Sequence, residues 1–165
     1  MHSIRFDVND AAAREQFDKI ALPQALLDLS DGSKPQWGRM TPQQMVEHLA
    51  WTYALSIGKH QVDCRIPERD RPRLKRFLYT PLPTPRGLSN PVFAGGLPPL
   101  KHKDFSAARA ALEEEIAAFW SELAEHPEAL YVHPLFGPIG AEEWSRTHFK
   151  HGCHHLLQFG LIELD

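Results

Sequence analysis

Residues 141–162 read AEEWSRTHFKHGCHHLLQFGLI, and how this stretch folds decides how the rest of the chain is read. Only Gly152 and Gly160 interrupt its helix formers, and the turn-rich residues His133 to Gly140 precede it, so the pattern predicts a helix from Ala141 to Ile162. At about 100° per residue, Trp144, His148, His151, His155, Gln158 and Ile162 fall within about 40° either side of one line. That line should be the apolar stripe facing the core, yet His148, His151, His155 and Gln158 are polar. Four of the ten histidines of this 165-residue chain lie within 148 to 155.

Histidines four apart on a helix present their rings to one point, the spacing with which H-E-x-x-H enzymes grip zinc. His151 and His155 stand in that relation. A third ligand must come from another helix, and His48 shares a face with Met45, Leu49 and Thr52. A buried imidazole left without a partner costs about 1–3 kcal/mol, and one shared metal satisfies all three. For a single histidine, hydrogen bonding inside the core is the simpler explanation. Three on one seam favour a metal. Neutral imidazoles suit zinc, nickel, copper or iron, and three protein ligands leave positions open for water or substrate, as catalytic sites do.

His148, three residues before His151, reads first as a residue behind the ligands or an acid–base group, and second as a fourth ligand. Gln158, one turn beyond His155, is expected to orient a ligand or bound water without touching the ion. His154 and Cys153 leave the stripe and are expected to pack or face solvent. His133, ahead of Pro134, reads as a packing residue.

Three further helical segments lie upstream. From Asn9 or Asp10 a helix begins with Phe17, Ile20 and Leu27 as apolar anchors, kinked or broken at Pro23. Thr41, Pro42 and Gln44 form a capping-box signature that opens a helix running to about Ile57, with Gly58 placed to end it. Phe105, Ala108, Leu112, Ile116, Phe119 and Leu123 recur at steps of three and four, the mark of one buried helical face. Between them, residues 59–104 hold eight of the fourteen prolines and room for one short helix near Arg73 to Tyr79. A connection of that length is a lid, a binding loop or a long crossover, or else solvated filler. Phe77, Leu78, Tyr79, Val92 and Phe93 give it something to pack with. As a cover over the open side of a metal it would shape a pocket, and Arg69, Arg71, Arg73, Lys75 and Arg76 would suit an anionic group.

Composition narrows the function classes. With 21 acidic against 18 basic residues the net charge is −3, whereas a phosphate backbone needs clustered Lys and Arg, so nucleic acid is not an expected partner. No stretch approaches the ~18 apolar residues of a membrane span and no secretory signal is visible, so a cytoplasmic location without membrane contact is expected. Cys64 and Cys153 are the only cysteines, too few for a thiolate zinc ribbon. No Glu-x-x-His, P-loop, G-x-S-x-G or G-x-G-x-x-G occurs.

Trp37-Gly38-Arg39-Met40-Thr41-Pro42-x-Gln44-Met45-x-x-His48-Leu49, followed by His151-x-x-x-His155-x-x-Gln158, resembles the DinB-like (YfiT-like) metalloenzyme superfamily. His133-Pro134-x-Phe136-Gly137, Glu143-Trp144 and His155-Leu156-x-Gln158-Phe159-Gly160 are similar to a branch of it with no known function. The two blocks span most of the chain. The resemblance implies an all-α fold. It would be one domain over residues 1–165, a four-helix bundle of up-down-down-up topology with the Pro-rich connection between helices two and three. It also implies a metal held by His48, His151 and His155, and frequent homodimers. Characterised members include transferases that join low-molecular-weight thiols to electrophiles, a thiol-dependent isomerase, and proteins described as hydrolases. The function so implied is a metal-dependent hydrolase or thiol-dependent transferase acting on a small molecule, a low-molecular-weight thiol among the candidates. One divalent transition metal would serve it, zinc or nickel before iron or manganese. The alternative is a metal-binding protein without catalysis. This chain differs from many members in its long Pro-rich middle and in Leu156-Leu157, where they carry an Arg after the last ligand.

Overall fold

The computed structural model describes residues 1–88 and 91–165. In chain order its elements are β1 (His2–Ile4), α1 (Ala11–Gln16), α2 (Leu22–Ala25), α3 (Pro42–Leu55), α4 (Arg71–Lys75), α5 (Phe105–Glu125), β2 (Tyr131–His133), β3 (Gly137–Ile139), α6 (Ala141–Gln158) and β4 (Ile162–Leu164). Short side chains that satisfy the orphan N–H groups of a first turn explain where the helices begin. Asp10 accepts from Ala13 N at 3.1 Å and Asp104 from Ala107 N at 2.8 Å. Thr41 and Gln44 close the reciprocal capping box that the sequence predicts, with Pro42 at the first helical position.

The chain is mostly helical, but it is not all-α. β1 pairs with β4 in parallel, His2 opposite Ile162, and β2 with β3 in an antiparallel hairpin, Tyr131 opposite Ile139. The predicted helix to Ile162 therefore ends four residues early. Gly160 adopts φ +67°, Leu161 N bonds back to Leu156 O at 2.9 Å and Gly160 N to Leu157 O at 3.0 Å. This left-handed cap satisfies the last carbonyls and releases Ile162 into a strand.

The first helix also departs from its pattern. Pro23 has no N–H and its ring crowds the carbonyl of Lys19, and a π turn, Phe17–Ala21, absorbs the misfit just before it. That wider turn shifts the phase of the helix. Leu22, Ala25 and Leu26 take the buried face, while Ile20 and Leu27, expected as anchors, are 48% and 65% exposed. On α5 the predicted stripe holds: Phe105, Ala108, Leu112, Ile116 and Phe119 are buried, and Leu123 is partly so. α3 packs along α5, and the core between them and α6 joins Met45, Leu49, Tyr53, Phe119, Trp144 and Leu156. Burying an aliphatic or aromatic side chain of this kind contributes about 1.5–3 kcal/mol.

The Pro-rich connection is fastened at several points. Its short helix near Arg73 to Tyr79 is present as α4 and a following 3-10 turn, Arg76–Tyr79. Lys150 Nζ on α6 donates to Thr80 O at 2.7 Å and Leu82 O at 2.5 Å while lying 4.0 Å from the Phe77 ring centre. At the far end Glu47 on α3 accepts from Lys101 N at 2.7 Å and His102 N at 3.0 Å. Among the described residues no helix is long and apolar enough to cross a membrane.

Candidate metal centre

His48 sits in the second turn of α3, one position ahead of the buried Leu49, so its ring leaves that helix on the side facing α6. His151 and His155 leave α6 one turn apart. Their Nε2 atoms converge: His48 Nε2 lies 2.9 Å from His151 Nε2, which lies 3.0 Å from His155 Nε2. One ligand atom from each residue falls within 4.8 Å of the other two, so the group could hold a metal ion. His48 and His155 are buried and His151 is partly exposed.

Hydrogen bonding sets the tautomer of one member. Gln158 Nε2 donates to Trp37 O at 3.0 Å, which turns Gln158 Oε1 toward His155 Nδ1 at 2.8 Å. An amide oxygen only accepts, so the His155 proton is on Nδ1 and its Nε2 presents a lone pair to the group. Trp37 O is held in turn by the chain around Gly38, whose φ is +79° and where a Cβ would stand 2.7 Å from Gln158 Nε2. Gln36 N also donates to Gln158 O at 2.7 Å.

Burial disfavours the imidazolium in every member. It pulls His48 down to about 4, with His154 adding to the effect. His151 and His155 lie well below the ordinary histidine value for the same first reason, with repulsion from the neighbouring rings behind it. Three neutral imidazoles with convergent nitrogens are the donor set that a borderline transition metal prefers. The residues present fit such an ion.

The other residues singled out by sequence fall as follows. Gln158 contacts His155 but not the converging nitrogens. His148 is not brought into the group: its Nε2 lies 2.9 Å from Ser56 Oγ, and its ring stacks on Tyr53 with centres 3.8 Å apart. Because the Ser56 hydroxyl donates to Tyr53 O at 2.7 Å, His148 is the donor of that pair, and its buried Nδ1 has no partner. His154 is half-buried against Thr84 O and the Trp37 ring, and Cys153 is buried. His133 stacks on Phe136 and accepts from Leu135 N at 3.1 Å. Among the basic residues of the connection, Arg71 is spent on Ile66 O and Lys75 approaches Glu143 at 3.6 Å, away from the histidines.

Three residues carry weight that sequence reading did not give them. Phe93, named only as a packing residue of the connection, puts its ring centre 5.1 Å from that of His48 and 4.9 Å from that of Trp51, edge to face with both. Glu47 anchors that segment, and its three N–H donors lie 4, 54 and 55 residues away along the chain, the far two beyond any local pattern. Asp18 is fully buried, accepting from Tyr53 OH at 2.8 Å and Trp120 Nε1 at 3.2 Å. The one available signal was a carboxylate beside Phe17 on a helix that had to bury a face.

Comparison with protein families, with curated proteins and with solved structures finds no match to this chain.

Proposed function

We propose that His48, His151 and His155 hold one divalent transition metal, zinc or nickel before iron or manganese, and that the chain is a metal-dependent enzyme acting on a small molecule. Hydrolysis or thiol transfer is the reaction class, in keeping with the resemblance to DinB-like proteins. That resemblance also supports an up-down-down-up bundle and a homodimer. The observation carrying the metal reading is the convergence of three neutral Nε2 atoms from two helices, with a glutamine fixing the tautomer of one. When bound, such an ion supplies Lewis acidity that draws the pKa of a water or thiol toward neutrality.

The chain's own side chains do the rest. Gln158 holds the His155 proton at Nδ1. Trp51 and Phe93 line the approach beside His48 with apolar surface, which lowers the local dielectric and strengthens any charge interaction there. Metal binding without catalysis is the second reading, and the engagement of His148 with Ser56 favours it, since the acid–base candidate of the stripe is turned away.

Elemental analysis of protein purified without an affinity tag tests the site. About one ion per chain is expected, lost in His48→Ala and His155→Ala and retained in His154→Ala. Equal metal content in the three variants would refute the assignment.

A further inference from the structure

His148 is a costly residue to bury. Its Nε2 donates to Ser56 Oγ at 2.9 Å, because the Ser56 hydroxyl proton is committed to Tyr53 O at 2.7 Å, and its Nδ1 is left buried with no partner. Neither solvent nor a ligand reaches that atom. The ring is packed as an apolar ring would be. Tyr53 stacks on it with centres 3.8 Å apart at 11°, Trp144 stands at 5.7 Å and 25°, and Phe119 meets it edge to face at 4.6 Å and 79°. Phenylalanine would serve this stack without an orphaned nitrogen, and Ser56 would keep its own bond to Tyr53 O. What only the imidazole adds is a directed bond from α6 to the end of α3.

That bond matters because of what else joins the two helices. Apolar contacts are non-directional and tolerate small slides and rotations, whereas hydrogen bonds prefer one geometry. Among the described residues two side-chain pairs join α3 and its cap to α6 through hydrogen-bonding atoms, His48 with His151 and Ser56 with His148. The first belongs to the group whose geometry has to be set, so it cannot set itself. The second stands eight residues further along α3 and three residues back along α6. A single contact between two rods leaves a pivot, and a second one displaced along both removes it. The reference side of this lock is held as well. Tyr53 OH donates to Asp18 Oδ1 at 2.8 Å and Trp120 Nε1 to Asp18 Oδ2 at 3.2 Å, so the ring on which His148 stacks is tied to the first helical segment and to α5.

We propose that His148 is a positioning residue of the metal centre: its bond to Ser56 holds α6 against α3 at the setting where His48 and His151 turn their Nε2 atoms to one point. A metal ion accepts ligand distances within about 0.2 Å, and a slide of α6 misplaces His151 and His155 together. This rests on the metal reading and deepens it, by giving the placement of α6 a residue of its own, as Gln158 serves the His155 tautomer.

Cobalt(II), whose visible absorption reports ligand geometry, tests it in the full chain. His148→Phe and Ser56→Ala each remove the bond, one from α6 and one from the end of α3. Both are expected to bind cobalt about tenfold or more weaker than wild type and with shifted visible bands, a signature that loss of stability alone does not produce. Metal-free His148→Phe is expected to keep a urea midpoint no lower than wild type, since the orphaned nitrogen is gone. Should it fail to fold by circular dichroism, Ser56→Ala decides alone. Wild-type bands and affinity in either folded variant overturn the role of His148 and leave the three ligands standing. A wild-type chain that takes up no cobalt overturns the metal reading and this inference with it.

Discussion

Replacing Gln158 by Leu separates the orienting shell from the ligands themselves. The side chain is 5% exposed and makes two hydrogen bonds, accepting from His155 Nδ1 at 2.8 Å and donating to Trp37 O at 3.0 Å. Leucine fills a similar volume and makes neither. Each abandoned buried partner costs about 1–3 kcal/mol, but only the loss at His155 bears on the metal, because it frees the imidazole to place its proton on Nε2 and to rotate. Taken alone, that loss corresponds to about a 10- to 100-fold fall in metal affinity, the range typical of orienting partners of metal-bound histidines. Competition against a chromophoric zinc chelator would measure it, with circular dichroism as the check on folding. The Trp37 carbonyl loss should lower stability without entering the affinity ratio. A folded Gln158→Leu protein with zinc affinity within twofold of wild type would show that the Gln158–His155 bond plays no part in presenting Nε2.

Three other outcomes are expected. Gly152→Ala places a Cβ 2.7 Å from Phe17 Cε1 and 3.0 Å from Cζ, and the overpacking cost of about 1–3 kcal/mol outweighs the gain of about 1 kcal/mol in helix propensity. Urea titration should show a net loss, and a gain in stability would contradict the packing. Burial raises Asp18 to about 8, with hydrogen bonds from Tyr53 and Trp120 opposing it. Between about pH 4 and pH 8 the folded chain therefore holds a proton that the unfolded chain has released, so this group's contribution to stability falls as pH rises across that window, by about 1 kcal/mol per unit. Asp18→Asn should flatten that decline in pH-dependent denaturation, and an unchanged slope would show that Asp18 does not titrate there. Lys150→Met removes the donor to Thr80 O and Leu82 O while keeping an unbranched side chain over Phe77. Limited proteolysis within residues 80–88 should accelerate several-fold, and an unchanged cleavage rate would show the segment is held elsewhere.

Which of these features sequence alone reveals depends on how local their causes are. The capping box at Thr41, the apolar stripe of α5 and the histidine stripe of α6 are written in spacings of three and four, and the structure carries all three. His48 was legible because its helix neighbours Met45 and Leu49 fix its face. The exposure of Ile20 and Leu27 was not, because a π turn ahead of Pro23 changes the period by which faces are counted. β1 and β4 are three residues each, too short for alternation to register, and each finds its partner about 160 positions away. His148 shows the limit of a stripe argument: it lies on the line of ligands, yet the hydroxyl of Ser56, the residue that caps the end of α3, captures its ring first. The Pro-rich connection brings Phe93 against His48, a contact no local pattern announces, while Arg71 and Lys75 take partners outside the histidine group.

The pairing of β1 with β4 has a mechanical consequence. The two strands run parallel, with His2, Ser3 and Ile4 beside Ile162, Glu163 and Leu164, and Asp165 N reaches back to Ile4 O at 3.0 Å. Tension applied across residues 2 and 164 pulls parallel neighbours in opposite directions, so their slanted hydrogen bonds are loaded together in shear instead of opening one at a time. Held by its ends, the chain meets this short clamp before any helix feels the force. The histidines of α6, whose last turn leads directly into β4, sit behind it.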